Sequence, residues 1–160
     1  MLEIGATIGE AVQEIAENML LVAIEADEVT IGACEMPMEQ GVWIELDGGI
    51  QAHFRLIATD DSALRLACAL LGEEREAFDE ELGDAFGEVV NMMAGGMVTR
   101  FEDREHGSVS MTPPLRVVIG DTFPEPSPEV ICVHQGFHLD GTFFCAEVVF
   151  PLEFAQWKAA

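Results

Sequence analysis

The sequence predicts an α+β fold, in which long helices pack on a mainly antiparallel sheet with pseudo-two-fold symmetry. Three observations predict this class: an element order of helix, strands, two helices and strands, two strong hairpin turns, and an internal repeat. A doubly wound fold would instead alternate strands and helices along the chain. The 160 residues suit one domain. We expect it to span residues 1–160, with pseudo-repeat halves of about 1–78 and 79–160.

The composition is typical of a globular protein and excludes two classes of partner. Hydrophobic residues make up 49% of the chain and charged residues 23%. The 7 lysines and arginines stand against 30 acidic residues, which gives a formal net charge of −23. Such a chain repels nucleic acids and anionic membranes, so we expect neither as a partner.

Nothing in the sequence predicts export or membrane insertion. No uncharged apolar run approaches the ~18–20 residues that a membrane span needs, and the first residues lack a signal-peptide pattern. We therefore expect a cytoplasmic protein. The cysteines are scattered without a C-x-x-C pair, so we expect small buried side chains in a reducing compartment at Cys34, Cys68, Cys132 and Cys145.

The first half of the chain begins with an amphipathic helix. Its apolar residues recur with the 3.6-residue period of one helix face: Ile4, Ile8, Ala11, Val12, Ile15 and Met19. A strand-like stretch follows over residues 20–33 and is broken by Pro37. Residues 60–62 (Asp-Asp-Ser) are candidate caps for a short helix that Gly72 ends.

Two hairpins are predicted from their turns. A D-G-G sequence at 47–49 joins strands over 41–46 and 50–58, and a D-G sequence at 140–141 divides the closing segment 129–150. Glycine accepts the positive φ that tight hairpin turns require. The two hairpins supply the four long strands of the predicted antiparallel sheet.

A long amphipathic helix and two shorter strands lie between the hairpins. The acidic run 73–81 leads into the helix, where negative charge complements the positive end of the helix dipole. The predicted buried stripe of this helix is Leu82, Phe86, Val89, Val90, Met93 and Met97. The shorter strands are predicted over residues 108–111 and 115–119.

An internal repeat relates the two long helices. A shift of 78 residues places residues 4–20 on residues 82–98, with six of seventeen positions identical. Two unrelated amphipathic helices would share apolar positions, but these also share both glycines and the exposed pair Glu10/Glu88. The match therefore favours a pseudo-two-fold fold.

Glu88 and Asn91 are the candidate functional residues. Being three residues apart, they are neighbours on the helix face opposite the buried stripe, where Asp84 and Gly95 also fall. Asparagine is a mediocre helix former, and a glycine inside a helix costs about 1 kcal/mol relative to alanine. We expect Asp84, Gly87 and Gly95 to flank a surface that a partner approaches closely.

The stretch GEVVNMMAGGMV resembles the helix that carries the E-x-x-N motif in the CheC, CheX and FliY group of chemotaxis phosphatases. The element order and the repeat fit the same family. Members of the CheC type carry the motif in both halves, whereas those of the CheX type carry one good copy in the later helix. The earlier copy here pairs Glu10 with Gln13 in place of Asn, so the chain is similar to the CheX type and has a degenerate second site.

The resemblance implies hydrolysis of the aspartyl-phosphate of a CheY-type response regulator. Asn91 would orient the attacking water, and Glu88 would pair with the active-site lysine of the regulator. Because an acyl phosphate is intrinsically labile, a held water is the main requirement. The Mg²⁺ would belong to the regulator, and the chain would need no cofactor or metal of its own. Relatives of the CheX type dimerise through sheet edges, and a homodimer of this kind stays open here.

Two alternatives also stay open. One is a CheC-like enzyme in which Glu10 and Gln13 form a second, weaker site. The other is a non-catalytic module that binds a receiver domain or a component of the flagellar switch. His134 and His138 have the spacing of a helical zinc pair, but they fall in a strand–turn region without further ligands, so no metal site is predicted.

Overall fold

The computed structural model describes residues 2–103, 107–117 and 120–153, and within these ranges it contains three helices and one sheet of eight strands. The helices are α1 (Leu2–Glu14), α2 (Asp60–Leu71) and α3 (Glu80–Asp103), and a π-helical turn (Ile15–Met19) extends α1. The strands are β1 (Glu25–Ala26), β2 (Thr30–Ile31), β3 (Gln40–Gly48), β4 (Ala52–Ala58), β5 (Val109–Met111), β6 (Leu115–Val117), β7 (Val130–Leu139) and β8 (Thr142–Pro151). The predicted α+β class is confirmed.

All strand pairs are antiparallel, and both predicted hairpins, β3–β4 and β7–β8, are present. The strand order is β1-β7-β8-β4-β3-β5, with β2 also on β7 and β6 also on β3. The short strands of each half therefore pair with the hairpin of the other half. From either edge inward, the order is two short strands, then the first strand of a hairpin, then the second strand of that hairpin. This order fits the predicted repeat, and the pseudo-symmetry itself stays a prediction.

Each edge of the sheet carries a one-residue bulge. Ala26 lies opposite Phe137 and Thr30 opposite His134, so the edge has one residue more than its partner between these pairs. The same excess separates β5 from β6 along β3. The bulge explains why the predicted strand over 20–33 appears only as β1 and β2. Residues 118 and 119 of the strand predicted over 115–119 lie outside the described residues.

The core lies between the helices and one face of the sheet. Alternate residues of the central strands point into it, among them Phe54 and Leu56 of β4 and Phe144 and Val148 of β8. The predicted buried stripe of α3 is confirmed, because all six of its side chains are fully buried. Helix α3 contacts both α1 and α2, so it lies in the middle of the helix layer.

Helix α3 begins at an acidic cap and continues past its glycines. The Asp79 carboxylate accepts a hydrogen bond of 3.0 Å from the Leu82 N–H, which satisfies one free amide of the first turn. Residues 73–79 of the acidic run that leads into the helix are irregular, and Arg75 within them forms ion pairs with Glu73, Asp79 and Glu81. Gly95 and Gly96 lie well inside the helix and do not end it.

The apolar stripe predicted for the first helix is wrong at its last residue. Met19 is 60% exposed, although the corresponding Met97 is fully buried. The cause is the π-helical turn, in which the Leu20 N–H donates to the Ile15 carbonyl over 3.0 Å. Because this turn is wider than an α-helical turn, the side chains after it no longer continue the apolar stripe of α1. Leu21 then takes a positive φ of 57°, which ends the helix.

The cap predicted for α2 also differs from the observed one. Thr59 precedes the helix, and its hydroxyl accepts a hydrogen bond of 3.1 Å from the Ser62 N–H. The Ser62 hydroxyl in turn accepts one of 3.0 Å from the Thr59 N–H. The two residues form a capping box, so residues 60–62 contribute only its second member. Gly72 ends the helix as predicted.

The outer face of the sheet, opposite the helices, is covered by two irregular segments. One is residues 32–39, here called the strap, and the other is residues 121–128. Arg55 of β4 is buried on this face, where it pairs with Glu147 at 3.7 Å and with Glu125 at 2.8 Å. Burial lowers the pKa of the nearby His53.

The described cysteines are all free thiols, and their burial differs from the prediction. Cys145 is buried, whereas Cys34, Cys68 and Cys132 are partly exposed. Cys34 lies in the strap, and Cys132 and Cys145 lie on the outer face of β7 and β8, away from the helices. The partial exposure of Cys34 and Cys132 follows from the outer face, because irregular segments cover it less completely than helices cover the other face; Cys68 instead lies on α2.

Gly48 is the hairpin residue for which the structure predicts the largest loss on substitution. It has a φ of 119°, and an added Cβ would collide with the backbone carbonyl oxygen of Ser108. We expect Gly48→Ala to lower the free energy of unfolding by at least about 2 kcal/mol, because strain and collision add together. Urea denaturation measures this quantity.

The matched control is Gly141→Ala in the second hairpin. Gly141 has a positive φ of 77°, but an added Cβ would meet no atom within 4 Å. We expect this variant to lose about 1 kcal/mol from strain alone. Equal losses in the two variants would contradict the role of the contact with Ser108.

Candidate functional site

Glu88 and Asn91 lie in the middle of α3 on the face directed away from the core. Glu88 is exposed and Asn91 is half-buried, while Val89 and Val90 between them are fully buried. These two valines fix the rotation of the helix about its axis. Asp84, one turn before Glu88, is exposed on the same stripe. The exposed stripe predicted from the sequence is therefore present.

The flanks of this stripe are less uniform than expected. A Cβ added at Gly95 would meet no atom within 4 Å, so the surface beside Asn91 is open there. Gly87, in contrast, is buried, and its Cα faces Pro114, whose atoms would lie 3.9 Å from an added Cβ. Of these two glycines, only Gly95 offers a partner direct access. Gly87 instead lets the β5–β6 connection lie close to the helix.

The first copy of the motif is held by a cation from α3. The Arg100 Nε lies 3.4 Å from a Glu10 carboxylate oxygen, and an Arg100 Nη contacts Glu14 as well. The same guanidinium donates a hydrogen bond of 3.0 Å to the Gly96 carbonyl. Gln13, beside Glu10, is half-buried. Arg100 therefore joins α1 to α3 and partly neutralises the first-copy carboxylate.

Within the described residues, the second copy has no such partner. Among the described residues, no lysine, arginine or histidine lies within ion-pair distance of Glu88. Its carboxylate is therefore free to accept a cation from another molecule. Asn91 adds an amide that both donates and accepts hydrogen bonds. The arrangement is suited to docking and to holding a polar molecule such as water.

Sequence reasoning missed Arg100, whose contacts distinguish the two copies. It lies about ninety positions from Glu10 in the chain, and no local pattern joins residues so far apart. The one signal in the sequence is that basic residues are rare. The chain has only 7 lysines and arginines, and Arg100 is one of them, on a helix that is otherwise rich in acidic residues. A lone cation in such surroundings indicates an internal ion pair.

The structure gives the candidate zinc pair another role. His134 and His138 lie on β7, where His134 Nδ1 is 2.6 Å from the Gly32 carbonyl and His138 Nε2 is 3.0 Å from the Asp27 carboxylate. Both contacts join β7 to the segments that pair with it. The described part of the chain contains no cluster of three or more His, Cys, Asp or Glu that could hold a metal ion. None of its helices is both long enough and apolar enough to cross a bilayer.

The position of Glu88 and Asn91 on the face directed away from the core predicts that neither contributes much to stability. We expect Glu88→Ala and Asn91→Ala each to change the free energy of unfolding by no more than about 0.5 kcal/mol. Val90→Ala on the same helix is the control, and it should lose about 2 kcal/mol because it empties part of the core. Urea denaturation compares the three variants, and a loss at Glu88 equal to that at Val90 would contradict its surface position.

Comparisons with known proteins identify a family and a shared fold. The family model described as "Chemotaxis phosphatase CheX" matches residues 41–131, a range that includes Glu88 and Asn91 but not α1. No curated protein sequence matches the chain. Several solved structures share its fold.

Three of these structures span almost the whole chain. CheX from Desulfovibrio desulfuricans has 16% identity and a TM-score of 0.78, over 91% of this chain and 97% of that one. A CheC-like superfamily protein from Shewanella sp. PV-4 has 17% identity and a TM-score of 0.80, over 93% and 97%. The CheX–CheY–BeF₃–Mg²⁺ complex from Borrelia burgdorferi provides a match with 23% identity and a TM-score of 0.70, over 94% and 99%. At these identities the likeness shows a common fold.

Proposed function

The chain belongs to the CheX family of chemotaxis phosphatases, and we propose that it hydrolyses the aspartyl-phosphate of a CheY-type response regulator. The family predicted from the E-x-x-N helix is thereby confirmed. The observation that carries the proposal is the pair of exposed Glu88 and half-buried Asn91 on the outward face of a helix whose rotation the core fixes. The choice of partner is supported by the complex from Borrelia burgdorferi, which contains CheX together with CheY.

In this proposal Asn91 holds the attacking water. Its amide oxygen accepts a hydrogen bond from the water and its NH₂ group donates one, which directs an oxygen lone pair at phosphorus. The water attacks phosphorus, the bond from phosphorus to the aspartyl oxygen breaks, and inorganic phosphate leaves. Because Asn91 is half-buried, its side chain has fewer rotamers to lose when the water binds. Orientation of this kind is worth about 100-fold or more in rate.

Glu88 supplies the docking contact. Its carboxylate has no basic partner within the described chain, so pairing with a lysine of the regulator breaks no internal ion pair. The pair would set the register of α3 against the active site of the regulator and bring Asn91 to the phosphoryl group. The Mg²⁺ of the reaction is proposed to be bound by the regulator.

The first copy is proposed not to act as a second site. Arg100 already contacts Glu10, and a partner lysine would have to displace it. Gln13 carries the same amide as Asn91 but on a longer stem, so the amide would stand at a different height. Both differences disfavour the CheC-like alternative.

A homodimer through the sheet edges also stays a proposal, and it would have to pair strands of only two or three residues on either side of a bulge.

The test is the dephosphorylation rate of a CheY-type regulator from the same organism, measured with substoichiometric amounts of the chain. We expect the wild type to accelerate loss of the phosphoryl group through many turnovers. Asn91→Ala should lower the rate at saturation about 100-fold while the complex still forms. Glu88→Ala should mainly raise the regulator concentration needed for half-maximal rate, because it removes a docking contact.

The double variant Glu10→Ala/Gln13→Ala is the matched control, since it makes the same change in the other copy of the repeat. We expect it to retain the wild-type rate. A loss as large as that of Glu88→Ala/Asn91→Ala would instead identify a two-site enzyme. Binding without turnover, with protection of the phosphorylated regulator only at stoichiometric amounts, would replace the phosphatase with a binding module.

A further inference from the structure

Three cysteines meet on the outer face of the sheet, on the opposite side from α3. Cys34 lies in the strap, Cys132 on β7 and Cys145 on β8. All three are free thiols. The proposed phosphatase reaction uses none of them, so their proximity needs a separate account.

The strap is fixed directly above these strands. The Gly32 N–H donates to the Cys132 carbonyl over 2.7 Å, and the Gly32 carbonyl lies 2.6 Å from His134 Nδ1. Two residues later, the Cys34 N–H donates to a Glu147 carboxylate oxygen over 2.6 Å. Because Glu147 and Cys145 are two apart on one strand, both point to the outer face. The backbone of Cys34 is therefore held beside the side chain of Cys145.

The side chains of Cys34 and Cys145 lie close enough to interact. Cys145 is fully buried, whereas Cys34 is partly exposed. The partly exposed thiol therefore has a buried thiol as its neighbour, which is the arrangement of an attacking thiol with a resolving thiol beside it.

We propose that Cys34 and Cys145 form an oxidation site, at which a hydroperoxide converts the two thiols into a disulfide. The Cys34 thiolate attacks one peroxide oxygen, the O–O bond breaks, and hydroxide or an alkoxide leaves, giving a sulfenic acid at Cys34. Cys145 sulfur then attacks Cys34 sulfur, the S–S bond forms, and the S–O bond breaks. The departing hydroxide takes the Cys145 proton and leaves as water, so two thiols are oxidised and one peroxide is reduced.

The surroundings of the two thiols make Cys34 the attacking group and Cys145 the resolving group. The interaction with the Cys145 side chain lowers the pKa of Cys34 to about 7; the Met36 N–H and His134 act in the same direction, and burial and the Glu147 carboxylate oppose them. The same interaction, together with burial, raises the pKa of Cys145, which stays a thiol. Cys34 therefore provides the nucleophile.

The third thiol should remain unreactive. Burial raises the pKa of Cys132 to about 12, with the Glu147 carboxylate acting in the same direction and Arg55 against it. At neutral pH almost none of it is thiolate, and the thiolate is the reactive form. Cys132 is thus an internal comparison for Cys34 on the same face.

The experiment exposes the full chain to hydrogen peroxide at neutral pH, blocks remaining thiols with an alkylating agent, and maps the cysteines by mass spectrometry. We expect an intramolecular Cys34–Cys145 disulfide that dithiothreitol reverses. Cys34→Ser should abolish it, whereas Cys68→Ser, a change in α2 far from the strap, should not. The rate of disulfide formation should rise as pH increases through about 7.

A second variant tests the order of the steps. In Cys145→Ala the resolving thiol is absent, so peroxide should leave a sulfenic acid at Cys34 that dimedone traps. Because Cys145 is buried, circular dichroism and urea denaturation must first show that this variant is folded. Three results would each overturn the proposal. They are oxidation at Cys132 or Cys68 in place of Cys34, disulfides between two chains, and no loss of thiol at Cys34 in excess peroxide.

Discussion

The antiparallel pairing of β4 with β8 is the interaction on which the rest of this structure depends. It extends from His53 opposite Val149 to Ala58 opposite Phe144 and joins the two halves of the chain at the centre of the sheet. Each of these strands brings its hairpin partner, and each hairpin takes its edge strands from the other half. Neither half therefore has a complete sheet of its own. The sheet, the helix layer and the outer face all rest on this central pair.

The helix layer turns one repeated sequence into two unlike surfaces. Helices α1 and α3 meet closely where a Cβ added at Gly96 would lie 3.5 Å from Ala11, and Arg100 spans from this contact to Glu10. The carboxylate of the first copy is thereby tied to the protein, and that of the second copy is left to solvent. The proposed single site follows from this difference in surroundings, since the two motifs differ by only one methylene in the amide residue.

Local signals account for most of what the sequence could predict. The D-G turns mark both hairpins, and the period of the apolar residues in α3 defines its buried stripe and its exposed one. The errors have two physical causes. Local backbone geometry that the apolar pattern does not encode exposes Met19 through the π-helical turn and gives the cap position to Thr59. Pairing with a distant strand produces the bulge that divides the first edge strand. The ion pair of Arg100 with Glu10 depends on the packing of α3 against α1, and the contact of the strap with Cys145 depends on the folded sheet, so neither could be predicted from local patterns.

The exchange of strands between the halves has a consequence for synthesis on the ribosome. All seven residues of β4 are buried in the folded protein, yet its partner β8 follows only after α2, α3 and three further strands have been made. During that interval β4 has one unpaired edge and apolar side chains without cover, which is the form of a strand that aggregates. The nascent chain is therefore most vulnerable to aggregation between the synthesis of β4 and that of its last hairpin.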